Sequence, residues 1–301
     1  MSDATENAND ARAQVAQDKA AQEKVSRRKF LQHTSGAGVV AVAVTSVAAQ
    51  HATPTGSHKT RSASAKHDKL RGKMIAYKSG DMMIPAYFSR PAKTKKEAPA
   101  VLVIHEVFGL NNHIKSIADR LAREGYNALA PDLFVRTPQP PPKDASDIPA
   151  LRKAVSSIPD DVAIKDMQAG LDYLKTIKGV RERFASIGFC MGGGFSYQLA
   201  THAPDLAGAA IFYGRTPIEL VSQVSCPLLG SFGALDNGIP AEKLKEFQEA
   251  LQRAGKQIDL KIYANAKHGF FNDSRPEAYN AEAAADAWQR TLKFFREHLG
   301  A

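Results

Sequence analysis

The sequence predicts an α/β fold with a mainly parallel central sheet and helices on both faces. Three observations predict it. Short continuous apolar runs such as Ala100-Val101-Leu102-Val103-Ile104 read as strands buried on both faces. Segments with a 3.6-residue apolar period alternate with these runs as far as the C-terminus. Finally, 301 residues at 44% hydrophobic and 24% charged suffice for one sizeable core, which excludes a disordered or fibrous chain.

Each element follows in order. Alternation in Met74-Ile75-Ala76-Tyr77 and again over 83–88, around Ser79-Gly80-Asp81, predicts a hairpin. After the Lys-rich loop 93–97 comes the buried strand 100–104, then a helix near 113–124 and a short buried strand, Asn127-Ala128-Leu129-Ala130. Pro138 and the run Pro140-Pro141-Pro142 break regular structure, and 144–159 reads as an excursion with helical patches. Val162, Ile164, Met167, Leu171, Leu174 and Ile177 then mark one face of a helix over 160–178. Strands at 184–189, 207–213, 227–232 and 258–263 and helices at 193–202, 240–254 and 280–298 complete the domain, placed at 73–299. No internal repeat divides it.

The first seventy residues have another character. Ser26-Arg27-Arg28-Lys29-Phe30-Leu31-Gln32 precedes a mildly apolar run from Gly36 to Ala49, too short to span a bilayer as a helix. Residues 1–49 are therefore expected to be an export signal, and the paired arginines resemble the twin-arginine address read by a translocase that moves folded proteins. This implies a periplasmic or secreted protein with no stable membrane anchor. Residues 50–72, rich in Ser, Thr, Ala, His and Lys, read as a flexible basic linker. The net charge of +9 divides as +6 in 50–78, +1 before it and only +2 in 79–301, so the folded part carries no basic footprint for nucleic acid. Two cysteines, Cys190 and Cys226, exclude a disulfide framework and a multi-thiolate metal site, and leave open whether the two pair.

The chemistry concentrates at Gly188-Phe189-Cys190-Met191-Gly192, where a buried strand gives way to a helix. Gly-x-Cys-x-Gly is the cysteine form of the nucleophile elbow, whose glycines let the strained turn approach its neighbours. At a helix N-terminus Cys190 is favoured as thiolate, and the Met191 N–H is aimed at a developing oxyanion. The partners expected downstream are present at strand ends: Asp236 after Gly230-Ser231-Phe232-Gly233, and His268 after Tyr263-Ala264-Asn265-Ala266-Lys267. His268 would take the thiol proton and later activate water, with Asp236 fixing its tautomer. No cofactor and no metal is called for. His105 is expected to pack at the entrance side, Cys226 to be a packing residue, and His113, His202 and His298 to lie on helix surfaces.

With four collinear motifs, His105-Glu106-Val107-Phe108-Gly109-Leu110-Asn111, Ala130-Pro131-Asp132-Leu133-Phe134, Gly188-Phe189-Cys190-Met191-Gly192-Gly193 and the Asp236 and His268 loops, the chain resembles the dienelactone hydrolase family. The resemblance implies an α/β-hydrolase fold and the triad Cys190, Asp236 and His268. It further implies that Val107 joins Met191 in the oxyanion hole and that Glu106 modulates the resting thiol. One departure concerns substrate. Dienelactone hydrolase itself carries an arginine four residues past its histidine to bind the substrate carboxylate; that position is Asn272 here, which makes dienelactone itself a weak expectation and leaves Arg136, Arg152 and Arg215 as other anion-binding candidates. Phe134, Tyr213 and Phe270, with Phe271, are expected to line an apolar pocket. The leading expectation is an exported hydrolase of a small ester or lactone working through an acyl-cysteine. Its alternatives are a thioesterase or acyl hydrolase on the same site and a non-catalytic binding protein on a hydrolase fold.

Overall fold

The structure, a computed structural model, describes residues 72–92, 97–138 and 147–300. The export signal expected at 1–49, nearly all of the linker expected at 50–72 and the proline run at 140–142 lie outside the described residues.

β1 (Lys73–Ser79) and β2 (Met82–Ser89) form the hairpin, turning at Gly80-Asp81 with Gly80 at φ +59°. Then follow β3 (Ala98–Ile104), α1 (Asn112–Arg123), β4 (Asn127–Pro131), α2 (Ile148–Ser156), α3 (Asp160–Lys175), β5 (Val180–Phe189), α4 (Met191–His202), β6 (Leu206–Phe212), β7 (Leu228–Gly233), α5 (Ala241–Arg253), β8 (Ile258–Tyr263) and α6 (Ala281–Leu299). Short 3-10 turns at Leu133–Arg136 and Ile218–Gln223 complete the chain. The sheet runs β1-β2-β4-β3-β5-β6-β7-β8, antiparallel at the hairpin and between β2 and β4, parallel at every pairing beyond.

The continuous apolar runs are explained by two cores. Ala100, Leu102 and Ile104 of β3 face α3, α4 and α5, where Met167, Leu199 and Phe247 meet them in one cluster. Val101 and Val103, one residue out of phase, face α1 and α6 through Ile117, Leu121, Trp288 and Phe295. Caps end the helices cleanly: the Asn111 and Asn280 side chains accept from Ile114 N–H and Ala283 N–H at 3.1 and 3.0 Å, and Gly300 at φ +65° closes α6.

One strand and one side chain depart from expectation. β5 begins at Val180 rather than 184, its polar start Arg181-Glu182-Arg183 having concealed it; Arg181 and Arg183 donate to the last carbonyls of α6, Arg183 Nε reaching His298 O at 2.9 Å. Arg136, expected as an anion binder, grips the buried Asp166 of α3 with Nε and Nη2 at 3.0 and 2.8 Å and donates to Ser79 O at 3.2 Å. It ties the hairpin turn to α3, and its fork is committed to that bond rather than to a substrate.

The strand order places the site. β3 has β4 on one side and β5 on the other, so the chains leaving the C-terminal ends of β3 and β5 diverge to opposite faces and leave a crevice between them.

Candidate active site

Cys190 sits at the tip of β5, where that crevice opens. Its φ of +55° and ψ of −115° lie in a region that a side chain rarely adopts, at a cost of about 1–3 kcal/mol. Two bonds hold it there: Cys190 N–H donates to Phe212 O at 3.0 Å, and Gly194 N–H donates to Cys190 O at 3.2 Å. The flanking glycines are required by close approach. A Cβ on Gly188 would stand 1.8 Å from Gly192 O, and one on Gly192 would stand 2.3 Å from Ile104 O and 2.6 Å from His105 O. The start of α4 is thus seated against the end of β3, bringing residues 190–192 beside the loop 105–111.

His268 and Asp236 arrive from the ends of β8 and β7. Ala234 N–H to Tyr263 O and Leu235 N–H to Ala266 O, both 2.9 Å, bind their two loops together. His268 Nδ1 lies 2.6 Å from Asp236 Oδ2, and Asp236 Oδ1 accepts from Gly238 N–H at 2.8 Å, so Asp236 is buried with both oxygens engaged. Nδ1 is the protonated nitrogen in this pairing, which leaves Nε2 to accept a proton. Burial alone would depress the His268 pKa, but Asp236 and the adjacent Cys190 outweigh it and raise it to about 10. An imidazolium formed here is held.

Behind them lies a buried acid. Glu106 is 1% exposed, and burial raises its pKa to about 7 against the opposing pull of Asn272, His268, Arg275 and Tyr213. Asn272 Nδ2 donates to Glu106 Oε2 at 2.5 Å and Tyr213 OH to Oε1 at 3.4 Å. Tyr213, itself at φ +39°, sets its ring edge-on to His268 with centroids 5.1 Å apart, and burial followed by the charges of Glu106 and Cys190 raises its pKa well above the ordinary value.

Several expected site residues are placed differently. Asn272 is fully buried and is a ligand of Glu106, not of substrate. Phe270 is fully buried between Tyr213, Phe212 and Tyr263, so it backs the site without surfacing in it. Phe134 is 5% exposed and stacks on His105. Arg152 is exposed on α2. Arg215 is also exposed, with its backbone against the first turn of α4, 3.5 Å from where a Gly194 Cβ would stand. His113 is buried, not on the surface, and meets Asp273 Oδ1 at 2.9 Å, tying α1 to the loop after His268. His105 is wholly buried and packs against Phe134. Cys226 is buried, its pKa pushed up to about 12 by that burial. It precedes the start of β7 while Cys190 stands level with the strand's far end, about 15 Å away along the strand, beyond the roughly 7 Å a disulfide spans between Cα atoms.

Arg275 stands seven residues past the histidine, not at the four-residue spacing from which an arginine is expected, so no spacing in the sequence marks it. It lies on the same loop, its guanidinium 5.1 Å from the Phe108 ring, its Nε and Nη2 on Glu277 at 2.8 and 2.7 Å, and its Nη1 3.9 Å from where a Gly269 Cβ would stand. Its charge bears on both Glu106 and Tyr213. Among the described residues, no group of three His, Cys, Asp or Glu side chains could hold a metal ion, and no helix is long and apolar enough to cross a membrane.

Comparison with known proteins bears on this geometry. The family model described as the dienelactone hydrolase family matches residues 84–299. A protein of Escherichia coli O157:H7 provisionally named carboxymethylenebutenolidase is 36% identical over 233 residues, 73% of this chain and 84% of its own. One of the same provisional name from Methylorubrum extorquens is 34% identical over 295 residues, 93% of this chain and 95% of its own. The crystal structure of a provisionally assigned dienelactone hydrolase from Klebsiella pneumoniae subsp. pneumoniae MGH 78578 superposes with a TM-score of 0.72 at 31% identity, covering 76% of this chain and 99% of that one. The crevice at the switch between β3 and β5 is therefore set in a familiar frame, and the chain belongs to the dienelactone hydrolase family, hydrolases of the α/β-hydrolase fold.

Proposed function

We propose that this chain is an exported thiol hydrolase that opens a small ester or lactone through an acyl-cysteine. The observation that carries the reading is the 2.6 Å bond from His268 Nδ1 to the buried Asp236 carboxylate, which turns Nε2 to face Cys190 at the tip of β5, with both neighbours favouring the imidazolium. A histidine so placed can take the thiol proton and keep it while charge moves onto substrate. Cys190 Sγ attacks the carbonyl carbon as Nε2 of His268 accepts the thiol proton, and the Met191 and Val107 N–H groups receive the oxyanion. Collapse breaks the acyl–oxygen bond, the imidazolium protonates the departing alkoxide, and the acyl group stays on sulfur. His268 then deprotonates a water that attacks the thioester, releasing the acid and restoring the thiol. With a lactone the leaving alkoxide remains tethered, and a hydroxy acid is released. Mixing the enzyme with p-nitrophenyl acetate tests the step: a burst of p-nitrophenol with one acetyl group on the peptide bearing Cys190 is expected, and turnover without an adduct on that peptide refutes it.

The relatives' name points to a lactone that carries a carboxylate, and Arg275, whose charge is felt at Glu106, is the cation we assign to meet one. An ion-paired hydrogen bond is worth about 1.5–3 kcal/mol, so Arg275→Ala is expected to raise KM for carboxylate-bearing esters about tenfold more than for p-nitrophenyl acetate. Equal effects on both, in parallel initial-rate assays, would remove Arg275 from recognition.

Export is proposed on the resemblance of residues 26–32 to the twin-arginine address. Arg27→Lys with Arg28→Lys is expected to retain the protein in the cytoplasm. Undiminished periplasmic or secreted protein on cell fractionation would count against that route.

A further inference from the structure

His105 directly follows β3, wholly buried, with both ring nitrogens bonded. Nε2 is 3.1 Å from the backbone N–H of Leu133, which can only donate, so Nε2 carries the lone pair. Nδ1 therefore carries the proton and donates to the Glu106 carbonyl oxygen at 2.7 Å. Phe134, its ring centroid 5.1 Å away, fixes the ring plane. Burial disfavours the imidazolium, which would set one N–H against another at Leu133. A single neutral tautomer is locked in place.

The Glu106 carbonyl and the Val107 N–H are the two ends of one planar trans peptide, so the direction of one dictates that of the other. Gly109 N–H also reaches the Glu106 oxygen at 3.1 Å, but it belongs to the same loop and ties the peptide to nothing outside it. The His105 ring alone, of these two donors, is anchored outside the loop, through Leu133 beyond the end of β4. We infer that His105 is a positioning residue that aims the Val107 N–H at the substrate's carbonyl oxygen by holding the opposite end of the peptide. That role rests on the thiol-hydrolase reading; the ring touches no reacting atom.

Two variants separate its two bonds. His105→Gln can place an acceptor near the Nε2 position for Leu133 but no donor at Nδ1; His105→Asn can place a donor near Nδ1 for the Glu106 carbonyl but no acceptor at Nε2. For each, the acylation burst with p-nitrophenyl acetate is compared with the rate of Cys190 alkylation by iodoacetamide, alongside thermal melts. Acylation builds charge on a carbonyl oxygen, whereas alkylation needs only the thiolate. His105→Gln is expected to slow acylation about 10–100-fold while alkylation stays within about twofold, and His105→Asn to recover most of the loss. Equal losses in the two variants, or alkylation falling in step with acylation, would assign His105 to the fold or the thiol and overturn the role. A wild-type protein that alkylates at Cys190 yet forms no acyl adduct would instead bring down the hydrolase reading, and this role with it.

Discussion

Cys190→Ala is expected to abolish ester and lactone turnover, a loss in kcat of about 10⁴-fold or more, because nucleophile and base act as a unit and the oxyanion donors alone leave only residual catalysis. Asp236→Asn is expected to cost nearly as much, about 10⁴-fold, by a different route. The carboxylate at 2.6 Å holds the proton on Nδ1 and is one of the two groups that raise the His268 pKa. With a neutral amide in place of that carboxylate, burial still lowers the pKa and only the Cys190 contribution still raises it. The sign is therefore downward from about 10. An NMR titration of the His268 ring in Asp236→Asn is expected to show the lower midpoint, and the imidazolium to persist over a narrower range of pH. An unmoved midpoint, or substantial turnover by Cys190→Ala, would mean that the three residues share a neighbourhood without sharing a mechanism.

Gly192→Ala is expected to be strongly destabilising. Its Cβ would lie 2.3 and 2.6 Å from the carbonyl oxygens of Ile104 and His105, and backbone has no rotamer by which to yield. The start of α4 would have to withdraw from β3, parting the Met191 and Val107 N–H groups. Overpacking of this kind costs about 3 kcal/mol or more, against which the better helix propensity of alanine returns about 1 kcal/mol. Gly194→Ala in the same turn is the control. Its Cβ would meet nothing nearer than 3.5 Å, so propensity should prevail and stability hold or rise by up to about 1 kcal/mol. Urea denaturation of both variants, with residual esterase activity, checks the contrast; like effects would show that helix propensity, not the seating of α4 on β3, governs this turn.

Much of this architecture is legible in the residues because its causes are local. A strand covered on both faces must be apolar throughout, and a helix covered on one must repeat every 3.6 residues, so β3, α3 and α6 announce themselves. Gly188 and Gly192 are readable for the same reason: a turn this tight excludes side chains at fixed offsets from Cys190. β5 reads short in the sequence because Arg181 and Arg183 find their acceptors at the end of α6, more than a hundred positions along the chain.

The sequence by itself determined the fold class, the strand-end positions of Cys190, Asp236 and His268 and their order along the chain. Only the tertiary structure decided which polar groups serve which. Arg136 reaches Asp166, Asn272 reaches Glu106 across 166 positions, His113 reaches Asp273, and Arg275 comes to lie over Phe108. The physical reason is that burial obliges polar groups to find partners, yet each partner is set by how the loops at one end of the sheet converge. No spacing along the chain encodes it.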